Sequence, residues 1–195
     1  MKKLLLMAAV AVFGFTNVNA QDENTTGGFA KDDVYVSGTV GFSNTKVADV
    51  KSNEFTFSPA VGYFISDNIA LEANLLVGSG EDFDEDKTST FGAGLGATYF
   101  FTPSSQFSFT VGAGVAYASS KFEPNGGEES KVNSFGVAVS PGLNYFVSDC
   151  FALRASVGAL SYTSAKPDFD GAEATNTFGL NLDLSDINFG VVYKF

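Results

Sequence analysis

Few residues of this chain could carry out chemistry, and the clearest candidates are Glu72 and Arg154. The chain has no His and no Trp, one Cys (Cys150) and one Arg. A Cys/His zinc site and a serine hydrolase with a His base are therefore excluded. The formal net charge of −11 lacks the basic surface that nucleic-acid binding requires. We therefore expect no enzyme activity, no metal site, no cofactor and no nucleic-acid partner.

Glu72 and Arg154 occupy equivalent positions of a weak internal repeat, in which residues 58–78 align with residues 140–160 at 9 of 21 identical positions. Each is the fourth residue after a short Ser-Asp turn. Two opposite charges at such positions predict an ion pair if the fold brings them together, and Lys194 could join it. Pairing would offset the several kcal/mol that it costs to bury either ion alone.

A run of carboxylates at residues 81–86 is a second candidate. Its oxygens could bind Ca²⁺, but the run lacks the glycine and the ligand spacing of an EF-hand loop. The simpler interpretation is an acidic surface loop in contact with water, and we predict that one.

The elements that position these residues are strands, because apolar and small residues alternate with a period of two over most of the chain. One face of each strand carries bulky apolar residues, and the other carries mainly Gly, Ala, Ser, Thr and Asn. The pattern predicts eight strands near residues 34–42, 55–65, 69–78, 91–101, 107–117, 134–147, 151–158 and 187–195. A bulge near Ser185-Asp186 would reconcile Phe178, Leu180, Leu182 and Leu184 with the opposite phase from Ile187 onward.

The predicted connections alternate between short and long. Short turns lie at residues 66–68, 102–106 and 148–150, whereas longer segments with most of the charge lie at 44–53, 79–88, 121–131 and 163–175. This alternation is typical of an up-and-down meander. An even number of strands places both termini at the short-turn end.

The composition of the small-residue face favours a membrane barrel over a soluble one. A soluble barrel turns its apolar face inward and needs charges on the other face, but that face carries only Glu72, Arg154 and Lys194 well inside the strands. The bulky face is therefore predicted to meet lipid, with aromatic belts near both strand ends. A secreted soluble barrel is the alternative, and it would be found in the culture supernatant.

The first twenty residues are predicted to be a cleaved secretory signal peptide. They combine Lys2-Lys3, an apolar run from Leu4 to Phe15, and the small-residue site Val18-Asn19-Ala20. The alternative is a buried N-terminal helix or strand. Gln21 is not the Cys of a lipoprotein anchor. Residues 21–32 then form a short N-terminal segment, and residues 33–195 form the barrel.

The chain resembles the small eight-stranded outer-membrane β-barrels, such as the OmpA transmembrane domain and the OmpX-like proteins, which are described as outer membrane protein beta-barrel domains or porin family proteins. The most specific resemblance is the last strand, where Asn188, Gly190, Tyr193 and Phe195 fit the family's C-terminal assembly signal. The resemblance implies a monomeric, integral protein of a Gram-negative outer membrane, with short periplasmic turns and longer acidic extracellular loops. It also implies contact with outer-membrane lipid and lipopolysaccharide, and recognition by the barrel-assembly machinery.

Two functions remain open. The first is a structural or surface-interaction protein that displays acidic loops at the cell surface, with Glu72 and Arg154 paired inside a filled lumen. The second is a narrow porin-like diffusion channel, in which the same charges form a constriction. Inward glycines at 92, 94, 96, 112 and 114 keep the second open, since small residues leave space. The absence of His removes the known enzymatic members of this barrel size.

Overall fold

Eight antiparallel strands make up the structure, which is a computed structural model that describes residues 27–47, 50–157, 159–181 and 187–195. The first six strands are β1 (Val34–Val47), β2 (Val50–Phe64), β3 (Ile69–Glu81), β4 (Lys87–Phe100), β5 (Phe107–Glu123) and β6 (Ser130–Phe146). The last two are each described in two halves: β7a (Phe151–Val157) and β7b (Ala159–Pro167), then β8a (Thr175–Asn181) and β8b (Ile187–Lys194). No helix in these ranges is long and apolar enough to cross a membrane.

The sheet closes on itself through its first and last strands. Each strand pairs with its neighbours in sequence, and β8b pairs with β1 from Tyr35 opposite Lys194 to Thr39 opposite Gly190. The predicted closed, eight-stranded, up-and-down barrel is therefore confirmed. Closure matters in lipid, because the ladder hydrogen bonds satisfy backbone groups that find no water there.

The bulky face of the strands points outward, as the alternation predicts. Phe42 is 74% exposed, Leu95 64% and Phe109 62%, although all three are large and apolar. In water such a surface would aggregate, whereas in a bilayer it is the face that lipid covers. The sequence therefore assigns the outer face correctly on every strand that it identifies.

We call the end with the connections at residues 65–68, 101–106 and 147–150 the turn end, and the opposite end the loop end. At the loop end the irregular segments are shorter than the sequence predicts, because the strands continue as paired hairpins. Residues 124–129 and 168–174 are the connections that remain after β5 and β7b. Charge does not end a strand there, since polar side chains outside the bilayer reach water while the backbone stays paired.

Strand β7 gains one residue relative to β6. Leu143 lies opposite Ala155, and Val139 lies opposite Leu160, so four steps along β6 correspond to five along β7. The outward positions therefore change from odd to even residue numbers: Leu153 points outward nearer the turn end, and Leu160 points outward nearer the loop end. The predicted strand ends near residue 158, so β7b was not predicted.

Strand β8 also changes phase. Phe178 and Phe189 are both exposed, at 73% and 69%, although their numbers differ in parity. In the ladder, Ile187 pairs with Val157 and Asn181 pairs with Ala159. The predicted bulge near Ser185-Asp186 itself lies outside the described residues.

The described part of the predicted N-terminal segment, residues 27–32, folds against the turn end of the barrel and buries Phe29 to 2% exposure. The interior there is aromatic rather than small and polar: Tyr35, Phe64, Phe100 and Phe146 are at most 1% exposed. A barrel of eight strands is wide enough to be filled by side chains, and at this end large ones fill it. The predicted signal peptide and residues 21–26 lie outside the described residues.

The ring of Tyr35 lies against Gly62, which allows a specific test of this packing. A Cβ atom on Gly62 would fall 2.0 Å from Tyr35 Cζ. We expect Gly62→Ala to destabilise the barrel by about 1–3 kcal/mol, because the ring must move out of its packed position. Urea unfolding in detergent, followed by gel mobility, measures this change.

Gly179→Ala is the matched control, since nothing lies within 4 Å of a Cβ atom at that position. Equal midpoints for the wild-type chain and Gly62→Ala would contradict the packing of Tyr35 on the wall.

Candidate functional site in the barrel lumen

Two hairpins of the same geometry position Glu72 and Arg154. In each, a Ser side chain in the turn accepts a hydrogen bond from the first residue of the next strand, and that residue's carbonyl closes the turn. The bonds are Ile65 N to Ile69 O (2.9 Å) and Ile69 N to Ser66 Oγ (3.1 Å), then Val147 N to Phe151 O (2.8 Å) and Phe151 N to Ser148 Oγ (3.1 Å). The internal repeat is therefore a repeat of hairpin geometry, which gives both charges the same height and the same inward direction.

The two charges meet inside the barrel. Arg154 Nη1 donates to Glu72 Oε1, which joins β7a to β3 across the lumen. Tyr35 donates its hydroxyl proton to the same carboxylate oxygen, and Thr98 Oγ1 lies 3.4 Å from the other. The ion pair is mostly buried, with side chains 19% and 20% exposed. We call Tyr35, Glu72, Thr98 and Arg154 the lumen cluster.

Aromatic rings surround the guanidinium. Arg154 Cζ lies 5.2 Å from the ring centroid of Tyr35 and 5.7 Å from that of Phe100. Ring faces attract a cation, most strongly where water is excluded. These rings therefore help to hold the charge of Arg154 in place between the carboxylate and the turn end.

Three buried polar atoms of Arg154 and its neighbour Asn144 have no hydrogen-bond partner among the described protein groups. These are the Nε and Nη2 atoms of Arg154 and the Oδ1 atom of Asn144. Asn144 lies directly opposite Arg154 on β6, so the spare donors and the spare acceptor sit on neighbouring strands. Most buried polar groups are hydrogen-bonded, so these atoms are exceptions. The contacts that hold the guanidinium are its bond to Glu72 and its packing on the rings of Tyr35 and Phe100.

The structure does not bring Lys194 to the lumen cluster. Its ammonium donates to the carbonyl oxygen of Gly28 and lies 3.7 Å from Asp33 Oδ2, and it sits 5.6 Å from the ring centroid of Phe146. Lys194 points inward, as its parity requires, but at the turn end its ammonium contacts Gly28 and Asp33 rather than Glu72. The alternation predicts the face of this residue and not its partner.

Asn188, Gly190 and Tyr193 of the predicted assembly signal lie in β8b, and Phe195 follows its last residue. Gly190 stands opposite both Thr39 and Arg154, and a Cβ atom there would come within 3.0 Å of Thr39 Cγ2. The rings of Tyr193 and Phe195 meet edge to face with centroids 5.3 Å apart. Asn188 pairs with Ser156.

A cavity of about 400 Å³ lies in the lumen on the loop side of Glu72. Its wall is made of small and hydroxyl-bearing residues, which include Gly96, Gly114, Ser140 and Thr163. The predicted space beside the inward glycines is therefore present. Glu72 lines this cavity and so forms part of its floor.

Sequence reasoning missed the aromatic cluster below the lumen cluster. The ring of Phe29 lies 4.6 Å from Phe64, 4.9 Å from Phe146, 5.1 Å from Tyr35 and 5.4 Å from Phe100, measured between centroids. A signal was present, because Tyr35, Phe64 and Phe100 interrupt the small-residue face at the turn end of three strands. Phe29 itself carries no such signal, since it belongs to no strand.

The acidic run after β3 forms an ordered turn. Asp82 Oδ1 accepts hydrogen bonds from the backbone nitrogens of Asp84 (2.9 Å) and Asp86 (3.1 Å). In the described part of the chain, no group of three or more His, Cys, Asp or Glu residues is placed to hold a metal ion. The Asp82 carboxylate thus accepts hydrogen bonds from the backbone of its own turn.

Comparisons with known proteins point to one family. The family model described as "Outer membrane protein beta-barrel domain" matches residues 8–195. Among solved structures, the outer membrane protein OprG from Pseudomonas aeruginosa is 16% identical with a TM-score of 0.55, and covers 88% of this chain and 99% of its own. The N-terminal β-barrel domain of OprF from the same organism is 16% identical with a TM-score of 0.51, covering 86% and 100%.

Neisserial surface protein A is 19% identical with a TM-score of 0.50, and the match covers 83% of this chain and 97% of that protein. At such identities the structural likeness shows the fold alone. No curated protein matches the chain.

A double-mutant cycle tests the ion pair. We expect Glu72→Gln and Arg154→Met each to destabilise the barrel by about 3–5 kcal/mol, because each leaves a buried charge without its partner. The double variant should lose much less than the sum, with a coupling free energy of at least about 1 kcal/mol. Unfolding in detergent measures all four proteins.

Lys131 and Asp168 supply the control cycle, since this pair at the loop end is 3.6 Å apart and about half exposed. Their coupling should be within about 1 kcal/mol of zero. Additive effects of the Glu72 and Arg154 changes would show that the two charges do not stabilise each other.

Proposed function

Because the chain belongs to the family of outer membrane protein beta-barrel domains, we propose that it acts as a closed barrel that displays acidic hairpins at the cell surface. It is an integral outer-membrane protein, surrounded by lipid and lipopolysaccharide. In this proposal the barrel is a scaffold without enzymatic activity. The loop end faces outward, and the turn end faces the periplasm.

The observation that carries the proposal is the lumen cluster. Glu72 and Arg154 reach each other from opposite walls, and Tyr35 and Thr98 bond to the same carboxylate. In a barrel of eight strands the lumen is only wide enough for side chains, so this cross-bridge obstructs passage. A barrel that is obstructed at the lumen cluster is better suited to contacts made by its hairpins at the loop end than to transport through the lumen.

The loop end is built as a connected surface. Asn125 N donates to Asp86 Oδ1 at 2.8 Å, and Asn125 Nδ2 lies 3.3 Å from Glu85 Oε2, so the hairpin after β5 is tied to the one after β3. Lys131 and Asp168, 3.6 Å apart, link the hairpin after β5 to the one after β7. Ties of this kind hold neighbouring hairpins in one arrangement, which suits a surface that a partner recognises.

The charge of this surface indicates the chemistry of a partner. Lys121 contacts both Glu123 at 2.7 Å and Glu129 at 2.9 Å, and its hydrogen bond lowers the pKa of the Glu123 carboxyl. Glu123 thus remains ionised to more acidic pH. An acidic surface attracts cationic groups, or lipopolysaccharide through divalent ions, and repels nucleic acid.

Biogenesis forms part of the proposal. Residues 1–20 would direct export and be removed, residues 21–32 would form the new N-terminal segment, and the barrel would function as a monomer. Asn188, Gly190, Tyr193 and Phe195 would be read by the barrel-assembly machinery. The outward ring pair of Tyr193 and Phe195 supports this, since an assembly factor could contact it at the turn end.

The second candidate is a narrow diffusion channel, and the cavity of about 400 Å³ beside Glu72 favours it. That cavity is large enough for several water molecules. For conduction the ion pair between Glu72 and Arg154 would have to open. The two candidates therefore differ in whether the lumen cluster is a permanent cross-bridge.

Single-channel recording in planar bilayers separates the two. We expect no steady conductance from the wild-type protein, because the cross-bridge fills the lumen. Arg154→Met should also show no steady conductance, because the rings at the turn end still fill the lumen. Lys131→Met, at the loop end, should match wild type. Steady wild-type conductance that Glu72→Gln or Arg154→Met increases would replace the scaffold with the channel.

A further inference from the structure

The segment of residues 27–31 lies outside every strand and yet reaches the centre of the barrel. Its Phe29 side chain is 2% exposed and touches four rings that come from β1, β2, the end of β4 and the end of β6. We call Tyr35, Phe64, Phe100 and Phe146 the aromatic socket. A side chain from outside the sheet thus fills the core at the turn end.

The backbone of the segment fits closely against two turns. A Cβ atom on Gly27 would lie 2.6 Å from Ser148 O, and one on Gly28 would lie 2.6 Å from the carbonyl carbon of Ser104. Both contacts are too short for any side chain to be added without a shift of backbone. The two glycines are therefore what allows the chain to pass between the turns and deliver Phe29 to the socket.

Few polar contacts hold the segment. Phe29 N donates to Pro103 O at 2.7 Å, and the ammonium of Lys194 donates to Gly28 O. Asp33 accepts a hydrogen bond from Ala30 N at 2.8 Å and lies 3.7 Å from the same ammonium. The sheet closes through β1 and β8b without any contribution from residues 27–31. The segment is thus attached to a barrel whose ladder is complete without it.

From this arrangement we propose that residues 27–31 are a plug that seals the turn end of the lumen, with Phe29 as the stopper and Lys194 as the latch. The aromatic socket is its binding site. The plug and the lumen cluster share Tyr35, whose ring packs on Phe29 and whose hydroxyl bonds to Glu72. The other ring and hydrogen-bond contacts of the plug are with the other three rings, Pro103, Asp33 and Lys194 rather than with Glu72 or Arg154. A local opening that withdraws Phe29 would expose the socket to the periplasm while the strands stay paired.

Thiol labelling tests the plug. Ala70 is 0% exposed and belongs to the same buried cluster as Phe29, so Ala70→Cys in a Cys150→Ser chain reports access to the socket. The full-length mature protein is reconstituted in vesicles, and a membrane-impermeant maleimide is supplied on either the turn side or the loop side. With the plug intact we expect slow labelling from both sides.

Phe29→Ala should speed labelling from the turn side at least about tenfold, because full burial of a Phe side chain stabilises its seated state by at least that factor. Lys194→Met should give an intermediate rate, since it removes the latch and leaves the stopper. Phe109→Ala is the matched control: it removes a ring that is 62% exposed on the outer face and should change nothing.

Equal turn-side rates with and without Phe29 would overturn the plug and leave the closed lumen cluster untouched. Fast loop-side labelling in Phe29→Ala, added to fast turn-side labelling, would support the plug and contradict the closed lumen. If Phe29→Ala does not fold, Lys194→Met alone decides: a faster turn-side rate than wild type supports the plug, and an unchanged rate overturns it.

Discussion

The barrel depends on one constraint, which is that backbone polar groups in lipid must be hydrogen-bonded within the protein. Closure of β8b on β1 meets that constraint and at the same time creates an enclosed space. This space constrains every inward side chain, because a charge that points into it must be paired. The pairing of Glu72 with Arg154 and the packing of large rings below them both follow from closure.

The lumen is layered along its axis. Aromatic side chains fill the turn end, the ion pair lies next to them, and the small residues around the cavity lie on the loop side. Tyr35 connects the first two layers, because its ring belongs to the aromatic socket and its hydroxyl bonds to Glu72. The buried charge of Arg154 is thus held between rings and a carboxylate, while the cavity on its loop side is lined mainly by small residues.

The alternation of the sequence predicts on which face of a strand a side chain lies. It does not predict how far along the barrel axis that side chain lies, or where a residue outside the strands packs. Glu72 and Arg154 share a face and a height because two similar hairpins carry them, and this was readable from the repeat. Lys194 shares the face but lies at the turn end, where Asp33 and Gly28 are its neighbours. The packing of Phe29 could not be predicted, because its segment has no alternation of apolar and small residues to indicate where a side chain packs. The upper half of β7 was missed because an extra residue reverses the phase of the alternation.

Glu72 and Arg154 meet across the lumen and close it, and an experimental structure in lipid that resolves side chains and ordered water would show this contact. We expect the guanidinium in contact with the carboxylate, Tyr35 bonded to the same oxygen, and no continuous column of water past them. Side chains folded back against their own walls, with water running from one end of the barrel to the other, would contradict this expectation.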